Sequence, residues 1–202
     1  MKHSDCMLKV AELAGADTLV VTNLSSNARM WSALRAERPS FYGLNMGLCL
    51  PFATGLALAF PKRRVLALDG DGSLMIEASG LITAGDVAPG NLLAIVFDNA
   101  SYTDMGETFT ARRVDLEKMA AGAGIPRTHT VRTLEDFEAA LREALAGNVF
   151  TFLVAKVTRD TTLPFAGNYI QRSERGMKES FVDAVKQLPD YPGRVDANTR
   201  WK

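Results

Sequence analysis

Short apolar runs alternate with amphipathic segments along the first 160 residues of the chain. The apolar runs predict strands at 18–22, 65–68, 92–97 and 149–158, and the short segments at 40–42 and 128–131 are predicted to be strands as well. The segments between them predict helices at 5–14, 27–35, 48–60, 73–84, 115–122 and 133–146. Strands separated by helices predict an α/β domain of three layers, in which a doubly wound, mainly parallel sheet carries helices on both faces.

The alternation ends after residue 158, where Pro and Gly interrupt the pattern and only residues 174–188 have helical periodicity. We therefore expect residues 1–160 to form one domain. Residues 161–202 are expected to form a C-terminal extension that packs on the domain or on a partner chain.

Composition and charge exclude several classes of protein. The chain has 202 residues, of which 47% are apolar, and its 23 basic residues balance its 23 acidic residues. This balance offers no basic surface for nucleic acid or for an anionic membrane. The most apolar helix, 48–60, is too short to span a membrane, and the first ten residues do not resemble a signal peptide, so a cytoplasmic location is expected. Two cysteines are too few for a disulfide framework or a four-cysteine iron–sulfur cluster.

The most informative motif is Gly70-Asp71-Gly72, which directly follows the apolar strand at 65–68. The next strand ends at Asp98-Asn99, with 26 residues between Gly72 and Asn99. Both strand ends of a parallel βαβ unit lie at the same edge of the sheet, where α/β proteins bind ligands. Asp71 and Asn99 offer hard oxygen ligands that suit Mg²⁺ or Ca²⁺. The alternative is an ordinary strand-to-helix turn in which Asp71 caps the helix.

The same turn is suited to an anion such as a phosphate group. Gly70 and Gly72 permit positive φ and a close approach of the backbone to the ligand. The amides of Gly72, Ser73 and Leu74 begin the following helix, so they can face phosphate oxygens at its positive end.

A second block, Gly43-Leu44-Asn45-Met46-Gly47, precedes the apolar helix at 48–60. Judged alone, a methionine at such a strand-to-helix junction is more often a core residue than a functional one. Together with the Gly-Asp-Gly motif, however, this block resembles the diphosphate-binding domain of thiamine-diphosphate (ThDP) enzymes. Over residues 15–160 the chain is most similar to the β subunits of sulfopyruvate and phosphonopyruvate decarboxylase-like enzymes.

The resemblance implies a set of site residues. Asp71, Asn99 and the main-chain carbonyl of Ser101 would bind Mg²⁺, which in turn would hold the diphosphate beside Gly70, Gly72 and Ser73. Met46 would be wedged between the two rings of the cofactor, and the Leu44 carbonyl would accept a hydrogen bond from its aminopyrimidine.

Two departures from these relatives concern the substrate more than the cofactor. The chain has Asn23-Leu24-Ser25 where relatives have a turn like Thr-Thr-Gly, and Leu48 where they can have His. The polar loop at 100–110 follows Asn99, and we expect Tyr102, Thr103, Asp104 and Glu107 to face the substrate as a group. His3 lies at a terminus that we expect to be flexible and receives no role.

The resemblance further implies that the chain is half of an active site. The glutamate that activates the cofactor belongs to a pyrimidine-binding domain, and this chain is long enough only for the diphosphate-binding domain. Glu77 is a poor internal substitute because it is expected on the helix that leaves the diphosphate turn. We therefore expect a two-chain decarboxylase of a small 2-oxo acid, with a pyrimidine-domain (α) subunit, in a hetero-oligomer with at least two copies of each chain.

Two other functions stay open. The chain could belong to a carboligating ThDP enzyme, similar to acetolactate synthase or to a split transketolase, or it could be a non-catalytic ThDP-binding subunit. An unrelated nucleotide-binding domain is less favoured because neither phosphate-binding glycine fingerprint follows a strand.

Overall fold

The computed structural model of the protein describes residues 1–35, 39–158 and 174–193. The strands of this part are β1 (Leu19–Asn23), β2 (Ser40–Leu44), β3 (Val65–Gly70), β4 (Leu92–Asp98), β5 (Arg127–Val131) and β6 (Thr151–Lys156). Its α-helices are α1 (His3–Leu13), α2 (Ser26–Arg35), α3 (Cys49–Ala59), α4 (Asp71–Ile76), α5 (Gly80–Val87), α6 (Leu116–Gly122), α7 (Leu134–Ala146) and α8 (Glu174–Lys186).

The strands form one sheet in the order β2-β1-β3-β4-β6-β5, and every neighbouring pair is parallel. Successive strand residues belong to different layers of the core. Leu19, Val21, Val65 and Ala67 pack on one face of the sheet, while Val20, Leu66 and Leu68 pack on the other. Because both faces are covered, the central strands β1, β3, β4 and β6 read in the sequence as mainly apolar runs, whereas the edge strand β5 is mostly polar and half-buried. The predicted three-layer α/β fold is confirmed.

Different helices cover the two faces of the sheet. The core of one face includes residues of α3, α5, α6 and α8. The core of the other includes residues of α1, α2 and α7. Helix α3 is not buried all round, because Phe52 and Leu58 on its outer side are 37% and 42% exposed. In the described ranges, no helix combines the length and apolar character needed to cross a membrane.

The single helix predicted at 73–84 is wrong. Helix α4 ends at Ile76, Glu77 leaves the helical conformation with φ −132° and ψ 60°, and α5 begins at Gly80. The break lets α5 pack directly on α3, since a Cβ on Gly80 would lie 2.8 Å from the Pro51 ring. Helical periodicity could not reveal this break, because a contact with another helix determines it.

Helix α8 packs against the edge strand β2. The Phe181 ring lies 5.4 Å from the Phe41 ring and 6.1 Å from the Phe52 ring, measured between centroids. Beyond the helix, Asp190 accepts a hydrogen bond of 2.7 Å from Nε of Arg63. This part of the predicted C-terminal extension therefore contacts its own domain. The predicted boundary at residue 160 lies outside the described residues.

Candidate functional site

The site lies at the carboxyl edge of the sheet, where β1 has β2 on one side and β3 on the other. In open α/β sheets such a reversal of strand order is the usual place for a ligand. A cavity of about 280 Å³ opens there and brings together the ends of β1, β3 and β4 with the turn after β2. Its lining comprises His3, Asn23, Leu24, Ser25, Ser26, Asn27, Met46, Gly70, Asp71, Gly72, Ser73, Phe97, Asn99, Ser101, Tyr102, Thr103 and Met105.

Seven of the eight predicted site residues, all except Leu44, line this cavity. Gly70, Asp71, Gly72 and Ser73 lie on one wall, and Asn99, Ser101 and Met46 complete the set. Leu44 is not part of the lining. It lies in a separate cleft of about 800 Å³ between the end of β2 and α8. Its carbonyl oxygen accepts a hydrogen bond of 2.9 Å from the Leu24 amide, and a carbonyl oxygen can accept a second bond.

Asp71 is buried, with 2% of its surface exposed, and it does not cap a helix. Gly70 is the N-cap of α4 and Asp71 is the first helical residue. The Asp71 carboxylate oxygen Oδ2 accepts a hydrogen bond of 2.5 Å from the Thr108 hydroxyl and lies 3.1 Å from the Thr110 hydroxyl oxygen. Burial raises the pKa of Asp71, as does the nearby Asp98 charge, while the bond from Thr108 opposes the shift.

Asp98, which precedes Asn99, is held from three directions. Its carboxylate forms an ion pair with Lys156 on β6 and accepts a 3.0 Å bond from the Ala100 amide. Thr110 donates to the same carboxylate at 2.8 Å. The sequence does not predict a role for Thr108 or Thr110, because nothing in the local pattern of a polar loop distinguishes them from their neighbours.

The loop after Asn99 folds back on itself. The side-chain oxygen of Asn99 accepts a bond of 2.9 Å from the Ser101 amide. Ser101 pairs with Glu107 in an antiparallel bridge, and the Tyr102 amide donates to the Gly106 carbonyl at 2.8 Å. Tyr102 and Thr103 line the cavity as expected of substrate-facing residues, but Glu107 does not, since it points outward and pairs with Arg112 at 3.7 Å.

Gly70 and Gly72 do not use the positive φ that glycine permits. Gly70 has φ −119°, and neither residue is among the glycines with positive φ. The need for glycine at position 72 comes instead from the loop, because a Cβ there would lie 2.4 Å from the Tyr102 ring. The missing side chain therefore makes room for an aromatic ring packed on the Gly-Asp-Gly turn.

The turn that carries Met46 rests on α4. Gly47 has φ +87°, and its amide donates a hydrogen bond of 3.2 Å to the Ser73 hydroxyl. A Cβ on Gly47 would lie 2.6 Å from the Cβ of Glu77. Glu77, predicted to lie on the helix after the diphosphate turn, therefore lies just past the helix and beside the Met46 turn.

The sequence pattern does not predict a role for two residues that line the cavity, His3 and Asn27. His3 is 6% exposed and belongs to α1, so the expectation of a flexible terminus is wrong. Its ring stacks on Phe97 with centroids 4.3 Å apart, and backbone pairing of Lys2 with Thr158 holds this end of the chain. Asn27 bonds to Asn23 at 2.7 Å, while its own Oδ1 is buried without a hydrogen-bond partner among the described residues.

The ligand types in the cavity fit a hard divalent cation and a phosphorylated cofactor. Asp71 and Asn99 supply carboxylate and amide oxygens beside the Ser101 main chain, and such oxygens suit Mg²⁺. Across residues 1–35, 39–158 and 174–193, no group of three or more His, Cys, Asp or Glu side chains could hold a metal ion, so these residues hold no such cluster for a softer metal.

Comparison with known proteins agrees with this geometry. Residues 24–155 match the family described as "Thiamine pyrophosphate enzyme, C-terminal TPP binding domain". The chain is 29% identical to the sulfopyruvate decarboxylase subunit beta of Methanocaldococcus jannaschii over 191 residues, which is 92% of this chain and 98% of that protein. It is 38% identical to the subunit of the same name from Methanothermobacter thermautotrophicus over 144 residues, covering 69% and 75% of the two chains.

A solved structure supports the fold. The benzoylformate decarboxylase of Polynucleobacter necessarius superposes with a TM-score of 0.68 at 19% identity. The match covers 78% of this chain but 33% of that enzyme, so this chain spans about a third of its length. By the match over more than half of its length, the chain belongs to the thiamine pyrophosphate enzymes and contains their C-terminal TPP-binding domain.

Proposed function

We propose that this chain is the ThDP- and Mg²⁺-binding subunit of a two-chain 2-oxoacid decarboxylase, similar to the sulfopyruvate and phosphonopyruvate decarboxylases, and that it forms half of the active site. The observation that carries this proposal is the convergence of Gly70-Asp71-Gly72, Asn99, Ser101 and Met46 on one cavity. The names of the relatives supply the class of reaction.

Three oxygens of this chain would hold the metal: a carboxylate oxygen of Asp71, the side-chain oxygen of Asn99 and the main-chain carbonyl oxygen of Ser101. The Asn99 oxygen already accepts the Ser101 amide, which fixes the path of the chain between these two ligands. The metal would neutralise the buried Asp71 and the charge of a diphosphate together.

The diphosphate would lie on the first turn of α4, against the amides of Gly72 and Ser73. Met46, half-buried at the cavity wall, would set the shape of the cofactor by its bulk. The Leu44 carbonyl would use its second lone pair for the aminopyrimidine while it keeps the Leu24 amide on the first. Bound ThDP supplies the carbanion chemistry that releases CO₂ from a 2-oxo acid, whereas the protein orients it and sets its electrostatics.

The activating carboxylate is expected on the partner chain. Asp71 is the only carboxylate among the described residues that line the cavity, and it is committed to the metal. Apolar residues on this chain also remain exposed, among them Leu48 at 46%, Ile76 at 57% and Phe109 at 62%. We infer that a pyrimidine-domain subunit covers part of this surface, in a hetero-oligomer with two or more copies of each chain.

The proposal is tested by assaying this chain alone and together with a pyrimidine-domain subunit, with saturating ThDP and Mg²⁺. Decarboxylation of a 2-oxo acid should appear only in the mixture, and full activity of the lone chain would contradict the half-site assignment. Adding an aldehyde acceptor separates the alternatives. An aldehyde product with or without the acceptor supports the decarboxylase, a carboligated product supports a synthase, and no turnover with retained ThDP binding indicates a non-catalytic subunit.

A further inference from the structure

Two threonine hydroxyls lie between two buried carboxylates beside the proposed metal. Thr108 Oγ1 is 2.5 Å from Asp71 Oδ2, and Thr110 Oγ1 is 3.1 Å from the same oxygen and 2.8 Å from Asp98 Oδ1. We propose that Thr108 and Thr110 are positioning residues that orient Asp71 for the metal and couple metal binding to the fold of the loop at 100–108. This inference rests on the proposed function.

Asp98 anchors this group of side chains to the sheet. Its side chain is fully buried and forms an ion pair with Lys156, whose strand β6 pairs with β4 along its length. The Thr110 hydroxyl oxygen lies within hydrogen-bonding distance of both Asp98 and Asp71. Through Thr110, the Asp71 side chain is therefore positioned relative to Asp98, which is anchored in the sheet. Asp98 is also the neighbour in sequence of Asn99, a second proposed metal ligand.

Counting hydrogens shows which bonds the hydroxyls can make. Each threonine hydroxyl has one proton to donate. When both carboxylates are ionised, the Thr108 hydroxyl donates to Asp71 at 2.5 Å and the Thr110 hydroxyl donates to Asp98 at 2.8 Å. No proton then remains for the 3.1 Å contact between Thr110 and Asp71 or for the 2.8 Å contact between the two hydroxyls. The two threonines thus crowd Oδ2 of Asp71, and we infer that the metal binds through Oδ1.

Thr108 also ends the loop that carries the third proposed ligand. Its side chain is 1% exposed, and its amide donates to the Ala100 carbonyl at 3.1 Å. This backbone hydrogen bond joins the two ends of the loop from Ala100 to Thr108. The Ser101 carbonyl, the third proposed ligand, lies within that loop. Loss of the Thr108 hydroxyl would loosen both the Asp71 carboxylate and this loop, although it removes no metal ligand.

The test is the affinity of the full chain, with its partner subunit and ThDP, for Mn²⁺ measured by electron paramagnetic resonance. Thr108→Val keeps the shape of the side chain and removes the hydroxyl, so Mn²⁺ affinity should fall at least about tenfold, as expected for one lost bond to a charged group. Thr108→Ser retains the hydroxyl and should stay within about threefold of wild type. Thr110→Val, in a half-buried position, should also weaken Mn²⁺ binding, by a smaller factor.

Thr54→Val is the matched control. Thr54 is buried to a similar degree at 3% exposure, and its hydroxyl bonds within α3 to the Leu50 carbonyl at 2.8 Å. It should shift thermal stability without changing Mn²⁺ affinity. Hydrogen exchange gives a second readout: Mn²⁺ should slow exchange across residues 100–108 in wild type and much less in Thr108→Val.

The outcomes separate this inference from the proposed function. Wild-type affinity for Mn²⁺ in folded Thr108→Val and Thr110→Val proteins would overturn the positioning role alone. A wild-type complex that binds ThDP without any dependence on Mn²⁺ would overturn the proposed metal site, and the positioning role with it. An equal loss of affinity in Thr108→Ser would show that volume, not the hydroxyl, matters, and would also contradict the inference.

Discussion

The amide of Gly47 donates a hydrogen bond to the hydroxyl oxygen of Ser73 at 3.2 Å. This bond joins the turn that carries Met46 to the first turn of α4, and so links two motifs that the sequence presents 26 residues apart. We expect Ser73→Ala to cost about 1 kcal/mol of unfolding free energy and to lower turnover per folded molecule, because the Met46 turn loses its support. Denaturant unfolding and steady-state rates measure both, and unchanged turnover would contradict this role.

A substitution at Gly47 tests the packing of the same turn against the residues that follow α4. Its φ of +87° and the 2.6 Å approach of an added Cβ to Glu77 make alanine unfavourable there. Gly47→Ala should lower the free energy of unfolding by about 1–3 kcal/mol. Gly55→Ala is the control, since a Cβ on Gly55 within α3 meets nothing within 4 Å and should stabilise by about 0.5–1 kcal/mol. Equal urea midpoints for the two variants would disprove the assigned strain.

Substitutions of Met46 show whether its side chain contacts the cofactor or only packs in the core. Because Met46 is half-buried and faces the cavity, Met46→Ala should reduce kcat much more than it reduces the melting temperature. Met46→Leu keeps the bulk and should retain most of the activity. The opposite pattern, a loss of a few kcal/mol in stability with normal turnover per folded molecule, would make Met46 a core residue.

Asp69 gives the metal-free protein a pH dependence with a defined sign. Burial raises the pKa of Asp69 from 3.8 to about 6. An acid whose pKa is higher in the folded protein than in the unfolded chain is better accommodated when protonated, so its contribution to stability declines as pH rises from about 4 to about 6. Above that range the contribution is constant.

Asp69→Asn should remove this decline. Relative to wild type, the variant should gain stability across the same interval, by at most about 3 kcal/mol, because one pKa unit corresponds to about 1.4 kcal/mol. Urea unfolding of both proteins in a chelating buffer from pH 4 to pH 7.5 provides the comparison. A stability difference that does not vary with pH would show that Asp69 does not titrate in this interval.

The fold could be predicted because the central strands are covered on both faces of the sheet, which makes each of them a mainly apolar run whatever the details of packing. Features that depend on contacts between distant segments could not be predicted. The break after Ile76 depends on the approach of α5 to Pro51, and the order of His3 depends on Phe97 and on pairing near Thr158.

The same distinction holds for the site. Asp71 and Asn99 could be placed together because parallel strands bring their carboxyl ends to one edge of the sheet. Thr108 and Thr110 could not be identified, since their partners Asp71 and Asp98 lie far away in sequence or are reached only when the loop folds back. The roles of Met46, Leu44 and Ser101 toward the cofactor stay predictions.

The most direct test of the account is calorimetric titration of ThDP into the complex of this chain with its partner subunit, with and without Mg²⁺. We predict ThDP binding that requires Mg²⁺ in wild type and is severely weakened in Asp71→Ala, because the diphosphate charge is then left uncompensated. Asp86→Ala, on an exposed position of α5, should bind as wild type does. Undiminished, Mg²⁺-dependent binding of ThDP by Asp71→Ala would contradict the assignment of the site.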